Sequence, residues 1–199
     1  MRLILNARPG VKSIPALFLD RDGVINNDYG YVHRKENFEF KSGIFELISA
    51  ANLAGYFCIV ITNQSGIGRG LYSVNDFRVL SNWMCEQFKN KGARLDAIYF
   101  SPFHPTEGKG AYLCAEDTRK PGPGMFNEAA IDLKIDLSKS AMVGDKPSDM
   151  EASLSAGISN NYFLCSDQTT EPPLVLDKKI KKFCDIPSIT THFSEKAAT

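Results

Sequence analysis

Three short apolar runs in this chain each stop at a cluster of polar residues, and that recurrence constrains the fold more than any other feature. Ala16 to Leu19 is followed by Asp20, Arg21, Asp22 and Gly23. Phe57 to Ile61 is followed by Thr62, Asn63, Gln64, Ser65 and a glycine-rich stretch to Gly70. Ala141 to Val143 is followed by Gly144, Asp145, Lys146, Pro147, Ser148 and Asp149. A strand buried on both faces of a parallel sheet reads as a continuous apolar run, because neither side meets water. In an open α/β sheet, ligands bind outside the carboxyl ends of the strands, so three such ends converge on one crevice. Side chains alternate along an extended chain, which lets Asp20 and Asp22 point the same way while Arg21 points elsewhere. Taken alone, D-x-D-G fits an Asp-rich turn equally well, since Asp favours turns for local hydrogen-bonding reasons.

The intervals between the runs supply the helices. Ile44, Leu47, Ile48 and Ala51 keep helical spacing, with Gly55 as a stop. Ser73 and Asp76 are spaced as a capping box ahead of a stripe of Phe77, Leu80, Met84 and Phe88, which Trp83 adjoins. Pro123 opens a helix carrying Phe126, Ala129, Ala130 and Leu133, and Pro147 opens another that ends at Gly157. Asp96 to Phe100 and Asn161 to Leu164 read as further strands, and Ile180 to Ile189 as one short element. Asn27 to Arg34, running on to Phe38-Glu39-Phe40, has turn residues beside aromatics and predicts a small β-flap or loop over the crevice. Strands alternating with helices give an α/β fold: a Rossmann-like three-layer sandwich around a doubly wound parallel sheet. The expected organisation is one domain over 1–199, with its core at about 14–190 and a frayed tail over 194–199.

Charge and cysteine usage exclude several partner classes. Lys plus Arg and Asp plus Glu both number 23, which leaves no basic footprint for nucleic acid or an anionic membrane. The five cysteines are scattered, odd in number and lack a C-x-x-C pair, as suits reduced thiols. No apolar run approaches membrane-spanning length, and the first nine residues are too briefly apolar for a signal peptide. A cytoplasmic, monomeric protein is expected.

The chemistry follows from the acids. Asp20, Asp22, Asp145 and Asp149 at close quarters cannot all stay ionised unless a cation compensates them. Hard oxygen ligands with no His or Cys nearby point to Mg²⁺. Arg119 and Lys120 stand just before a helix N-terminus, where cations are disfavoured unless an anion lies between them. A carboxylate nucleophile, a second acid, magnesium and a Thr62/Lys120 pair together make a phosphoryl-transfer site.

The segments FLDRDGVIN, ITNQSG, RKPGPGM and GDKPSDM, in that order, resemble the four motifs of the haloacid-dehalogenase (HAD) superfamily of phosphatases. With DYGYVHRKENFEF, the chain is most similar to the branch of that superfamily that hydrolyses heptose bisphosphates. The resemblance implies Asp20 as nucleophile, Asp22 as acid and base, and Thr62 and Lys120 as stabilisers of the transferring phosphoryl group. It implies Mg²⁺ on the Asp20 carboxylate, the Asp22 backbone carbonyl and Asp145, with Asp149 in support. Substrate contacts fall on Asp28, Tyr29, Gly30, Tyr31, Asn63, Gln64, Ser65, Arg119 and Lys146, where the Arg119 fork suits a second phosphate. The expected partner is a small sugar bisphosphate, and the expected reaction removes its 7-phosphate.

Many members of this family carry a zinc loop patterned C-x-H then C-x-C. The matching positions here are Ser101, Phe103, Glu116 and Thr118, so no zinc is expected despite His104 and Cys114 nearby. The interval from Asp22 to Thr62 leaves no room for a separate cap domain. The alternatives are a histidinol-phosphate or broader sugar-phosphate phosphatase, a phosphosugar-binding protein on the same scaffold, and a nucleic-acid 3′-phosphatase. The balanced charge opposes the last of these.

Overall fold

The computed structural model describes residues 1–5, 13–165 and 179–197. Its strands are β1 (Arg2–Ile4), β2 (Ala16–Leu19), β3 (Phe57–Asn63), β4 (Ala97–Ser101), β5 (Ala141–Gly144), β6 (Asn160–Leu164) and β7 (Ile180–Phe183). They form one sheet in the order β1-β4-β3-β2-β5-β6-β7. All neighbours pair in parallel except β1, which runs antiparallel to β4. The helices are α1 (Ile44–Leu53), α2 (Ser65–Gly68), α3 (Val74–Asn90), α4 (Gly124–Leu133), α5 (Pro147–Ser155) and α6 (Ile186–Ala197).

Strand alternation sorts the core into two layers. Leu17, Leu19, Cys58, Val60, Ile98, Phe100 and Val143 pack with apolar residues of α1, α3 and α6 on one face. Ala16, Phe18, Ile59, Ile61, Tyr99 and Met142 pack with Met125, Phe126 and Ala129 of α4 and Met150 of α5 on the other. Helices on both faces explain why the central strand β2 is apolar throughout: it is buried at every residue. This is the α/β Rossmann-like architecture the sequence predicts, and only a loop, one 3₁₀ turn (Lys35–Asn37) and α1 separate Asp22 from β3.

Local signals placed the helix ends. The side chains and backbones of Ser73 and Asp76 bond reciprocally, with Asp76 N–H donating to Ser73 Oγ (3.1 Å) and Ser73 N–H to Asp76 Oδ2 (2.8 Å). Gly55 follows α1 at φ +84°, a conformation that costs glycine little.

Of the two forms expected for the flap, a small β-flap or a loop, the structure has the loop: residues 27–34 are irregular, and Phe40 meets Asn26 in an isolated bridge. Three expectations need correction. The sheet is not wholly parallel, because three N-terminal residues add an antiparallel edge. The element expected over Ile180–Ile189 is a strand followed by a helix, with Phe183 and Ile186 separated by a bend. The chain does not fray from Ser194, since α6 continues to Ala197 with Ile189 and Phe193 anchored in the core; residues 198–199 lie outside the described residues.

Candidate active site

The carboxyl ends of β2, β3 and β5, neighbours at the middle of the sheet, carry the polar clusters. Asp20 continues β2, and its N–H still donates to the Val143 carbonyl of β5 (3.0 Å), so the sheet ladder itself fixes its place. Asp145 and Asp149 flank the entry to α5. Ligand oxygens of Asp20, Asp145 and Asp149 lie within 4.8 Å of one another. Lys120 reaches this group from the loop before α4, its Nζ 3.0 Å from Asp20 Oδ1 and 2.5 Å from Asp149 Oδ1. That ammonium also donates to the Ile61 carbonyl (2.9 Å) and is 3% exposed. Its backbone is held by a reciprocal pair with Asn63: Lys120 N–H donates to Oδ1 and Asn63 Nδ2 to the Lys120 carbonyl, both at 3.0 Å.

Charges do not balance in this group. Three carboxylates face one ammonium, leaving two negative charges unmatched. Burial, opposed by Lys120 and reinforced by Asp149 and Asp22, pushes the Asp20 carboxyl up to about 6. Burial, Asp20 and Asp149 push Asp145 up to about 7. Lys120 keeps its charge: burial works against it, but Asp149 and Asp20 outweigh that and raise the ammonium above its ordinary value. Asp145 Oδ1 is buried with no hydrogen-bond partner. A buried orphan oxygen beside two further carboxylates is the donor set of a hard divalent cation.

Glycines make this closeness possible. Gly23 has φ +94°, and a Cβ there would overlap the Asp145 carboxylate. A Cβ at Gly144 would overlap the Asp149 side chain.

Asp22 is held apart from this group. Its Oδ1 accepts from Arg21 Nε (3.1 Å), Arg21 Nη2 (2.8 Å) and Asn26 Nδ2 (3.0 Å). Its Oδ2 accepts from Arg21 Nη2 (2.7 Å) and Gln64 Nε2 (3.1 Å). Arg21 therefore does not point elsewhere: its long side chain turns back onto its neighbour, which strand alternation alone does not forbid. Gln64 Nε2 also donates to Thr62 Oγ1 (2.9 Å), so one amide joins the ends of β2 and β3. Tyr72 O–H donates to Gln64 Oε1 (2.5 Å), and burial holds its phenol up at about 12.

A cavity of about 200 Å³ opens beside Asp22, lined by Asp28, Tyr31, Asn63, Gln64, Ser65 and Lys146 among others. The structure thus brings residues of the flap, β3 and the β5–α5 turn to one wall. Lys146 Nζ donates to Asp28 Oδ2 (3.0 Å), and Gly30 N–H donates to Asp28 Oδ1 (3.0 Å). Burial opposes it, but Lys146 and Gly30 hold the Asp28 carboxyl below its ordinary value. Tyr29 stands outside this cavity, 63% exposed and bonded to Glu39. Arg119 is not in its wall: its Nη1 donates to the Phe103 carbonyl (3.1 Å) and it lies near Arg69. The anion expected between Arg119 and Lys120 is, for Lys120, the protein's own Asp20 and Asp149. In the loop that replaces the zinc pattern, His104 Nδ1 accepts from the backbone of Thr106 and Glu107, and Cys114 Sγ donates to the Ala111 carbonyl. All five cysteines are free thiols.

Sequence reasoning missed Tyr72 and the return of Arg21. The signal for Tyr72 was a lone aromatic between Gly70 and the Ser73 cap, outside the α3 stripe. Among the described residues no helix is long and apolar enough to cross a membrane.

Residues 117–169 match the HAD-hydrolase-like family model. The chain is 52% identical over 150 residues to D-glycero-alpha-D-manno-heptose-1,7-bisphosphate 7-phosphatase of Burkholderia mallei, covering 75% of this chain and 79% of that protein. It is 49% identical over 144 residues to D-glycero-beta-D-manno-heptose-1,7-bisphosphate 7-phosphatase of Vibrio cholerae, covering 72% and 77%. Its fold is similar to that of D,D-heptose 1,7-bisphosphate phosphatase from B. bronchiseptica, solved with magnesium and phosphate: TM-score 0.77, 25% identity, 92% and 99% covered. With that identity carried across most of both sequences, the chain belongs to the heptose-1,7-bisphosphate 7-phosphatase family of HAD-like hydrolases.

Proposed function

We propose that this protein is a Mg²⁺-dependent phosphatase that removes the 7-phosphate of D-glycero-D-manno-heptose 1,7-bisphosphate through an aspartyl-phosphate on Asp20. The observation that carries the reading is the pair of unmatched negative charges around Asp20, Asp145 and Asp149, with Lys120 packed between two of the acids. Asp20, the Asp22 backbone carbonyl and Asp145 would hold Mg²⁺, Asp149 supporting them, and the ion would neutralise charge on the phosphoryl oxygens.

The residues then divide the work. A carboxylate oxygen of Asp20 attacks phosphorus, the bond from phosphorus to the sugar oxygen breaks, and that oxygen takes a proton from Asp22. Water next gives a proton to the Asp22 carboxylate and attacks the same phosphorus. The phosphorus–Asp20 bond breaks, and inorganic phosphate leaves with both acids restored. Thr62 and Lys120 donate to the phosphoryl oxygens, with Lys120 keeping one proton on Asp149 and exchanging its contact to Asp20. Asp28, Gly30, Tyr31, Gln64, Ser65 and Lys146 bind the sugar side. Asn63 acts on Lys120, and Tyr29 and Arg119 meet the more distant phosphate.

We place no zinc in the loop of Ser101, Phe103, Glu116 and Thr118, and read the chain as a cytoplasmic, single-domain monomer that uses neither nucleic acid nor membrane. The test is phosphate release from both heptose bisphosphate anomers, with histidinol phosphate as comparison, since the relatives' names divide between α and β. Asp20→Asn and excess chelator should each abolish release. Turnover by Asp20→Asn would refute the nucleophile, and faster release from histidinol phosphate would refute the substrate.

A further inference from the structure

The groups that hold Asp22 close into a ring that passes through the flap. From Asp22 the ring runs to Gln64, whose Nε2 donates to Oδ2, and on to Tyr72, whose O–H donates to Gln64 Oε1. The Tyr72 ring lies flat on the His33 imidazole, centroids 4.9 Å apart and planes 5° from parallel. His33 follows Val32 in the chain. The Val32 carbonyl accepts from Arg21 Nη2 (2.7 Å), the same nitrogen that meets both oxygens of Asp22. Arg21, Gln64 and Val32 are at most 2% exposed and Tyr72 is 8%, so the hydrogen-bonded links are shielded from water, while His33 is half-exposed.

Each link fixes the next. An amide offers a donor end and an acceptor end, and a hydroxyl donated to the oxygen turns the donor end toward Asp22. Stacking sets where that hydroxyl stands, and the stacked imidazole belongs to the flap whose preceding residues Asp28, Gly30 and Tyr31 line the substrate cavity. Seating of the flap and orientation of the Asp22 carboxyl are thus one arrangement.

We infer that Tyr72 and His33 are positioning residues for Asp22, setting the carboxyl that hands a proton to the leaving oxygen according to how the flap is seated. This rests on the role proposed above for Asp22. A sugar alkoxide needs that proton as its bond to phosphorus breaks, whereas a nitrophenolate departs without it. Where KM for the bisphosphate stays unchanged, so that sugar binding is intact, the ratio of kcat/KM for heptose bisphosphate to kcat/KM for p-nitrophenyl phosphate reports the placement of Asp22, and a general loss of folded enzyme cancels from it.

Full-length Tyr72→Phe keeps the stacked ring and loses only the hydroxyl; the ratio should fall about tenfold, the scale of one oriented hydrogen bond in a transition state. His33→Ala, on a partly exposed loop, should lower it about threefold in the same direction and serves as the second variant. Asp22→Asn is the benchmark and should lower it further. If Asp22→Asn lowers the ratio and both other variants leave it unchanged or lose both activities equally, the inference fails and the reading of Asp22 stands. An unchanged ratio in Asp22→Asn overturns both.

Discussion

Asp145→Asn should make the metal-free protein more stable while depriving it of its response to magnesium. Burial and the charges of Asp20 and Asp149 lift this carboxyl from 3.8 to about 7, so its ionised form is disfavoured by at most about 4 kcal/mol. Because the residue is partly exposed, solvent screens part of that, and about 1–2 kcal/mol is the gain expected from Asn at neutral pH. For a chain of this size that is about 2–8 °C in Tm. The sign follows from proton counts. Between about pH 4 and 7 the folded state binds more protons at Asp145 than the unfolded chain does, so wild-type stability falls as pH rises through that window. The advantage of Asn is therefore fully present at pH 8 and nearly gone at pH 4. Magnesium reverses the order: at 100 times its Kd a ligand adds about 2.7 kcal/mol, and only the wild type should gain it. Thermal unfolding of wild type and variant in EDTA and in Mg²⁺, at pH 8 and pH 4.5, gives the comparison. A variant no more stable than wild type in EDTA at pH 8 would refute the account of the acids as mutually repelling.

Other perturbations separate structure from chemistry. Lys120→Met removes the cation that Asp20 and Asp149 share, and should cost about 3–5 kcal/mol without metal and abolish turnover; denaturant titration and phosphate release check both. Gly23→Ala puts a methyl into the Asp145 carboxylate at φ +94°, so the stabilisation by Mg²⁺ should disappear, which calorimetric titration measures. Ser73→Ala breaks the α3 capping box and should lower Tm by about 2–4 °C while kcat stays within twofold of wild type.

The sheet's centre was legible because β2, β3, β4 and β5 are buried on both faces and stay apolar up to the polar residues at their carboxyl ends, whereas β6 opens on Asn160 and Asn161 and was legible from its Tyr162-Phe163-Leu164 run. β1 was not: its three residues are exposed or half-exposed, and the pairing that makes them a strand lies about 95 positions away in β4. The flap is a loop without paired strands because its groups bond to Arg21, Glu39 and Lys146 and, through short-range turns such as Gly30 N–H to Asp28 Oδ1, to near neighbours in sequence. The acids announced themselves by type and by place at strand ends. Asp149 gave a weaker signal, since an Asp at the third position of a helix is ordinary, and only its burial beside Lys120 distinguishes it. Arg21 was misjudged for a definite reason: alternation governs where a Cβ points, and a side chain with four rotatable bonds can return to the other side.

The placement of β2 between β3 and β5 also sets an order of events for the newly made polypeptide. A chain that has left the ribosome only as far as Leu133 contains Asp20 and can already lay β2 against β3, yet it lacks Asp145 and Asp149 altogether. Crowding of like charges thus begins late, when the fifth strand zips onto the second, and the ionic conditions at that moment bear on whether docking completes. Magnesium would then act on maturation of the fold as well as on turnover.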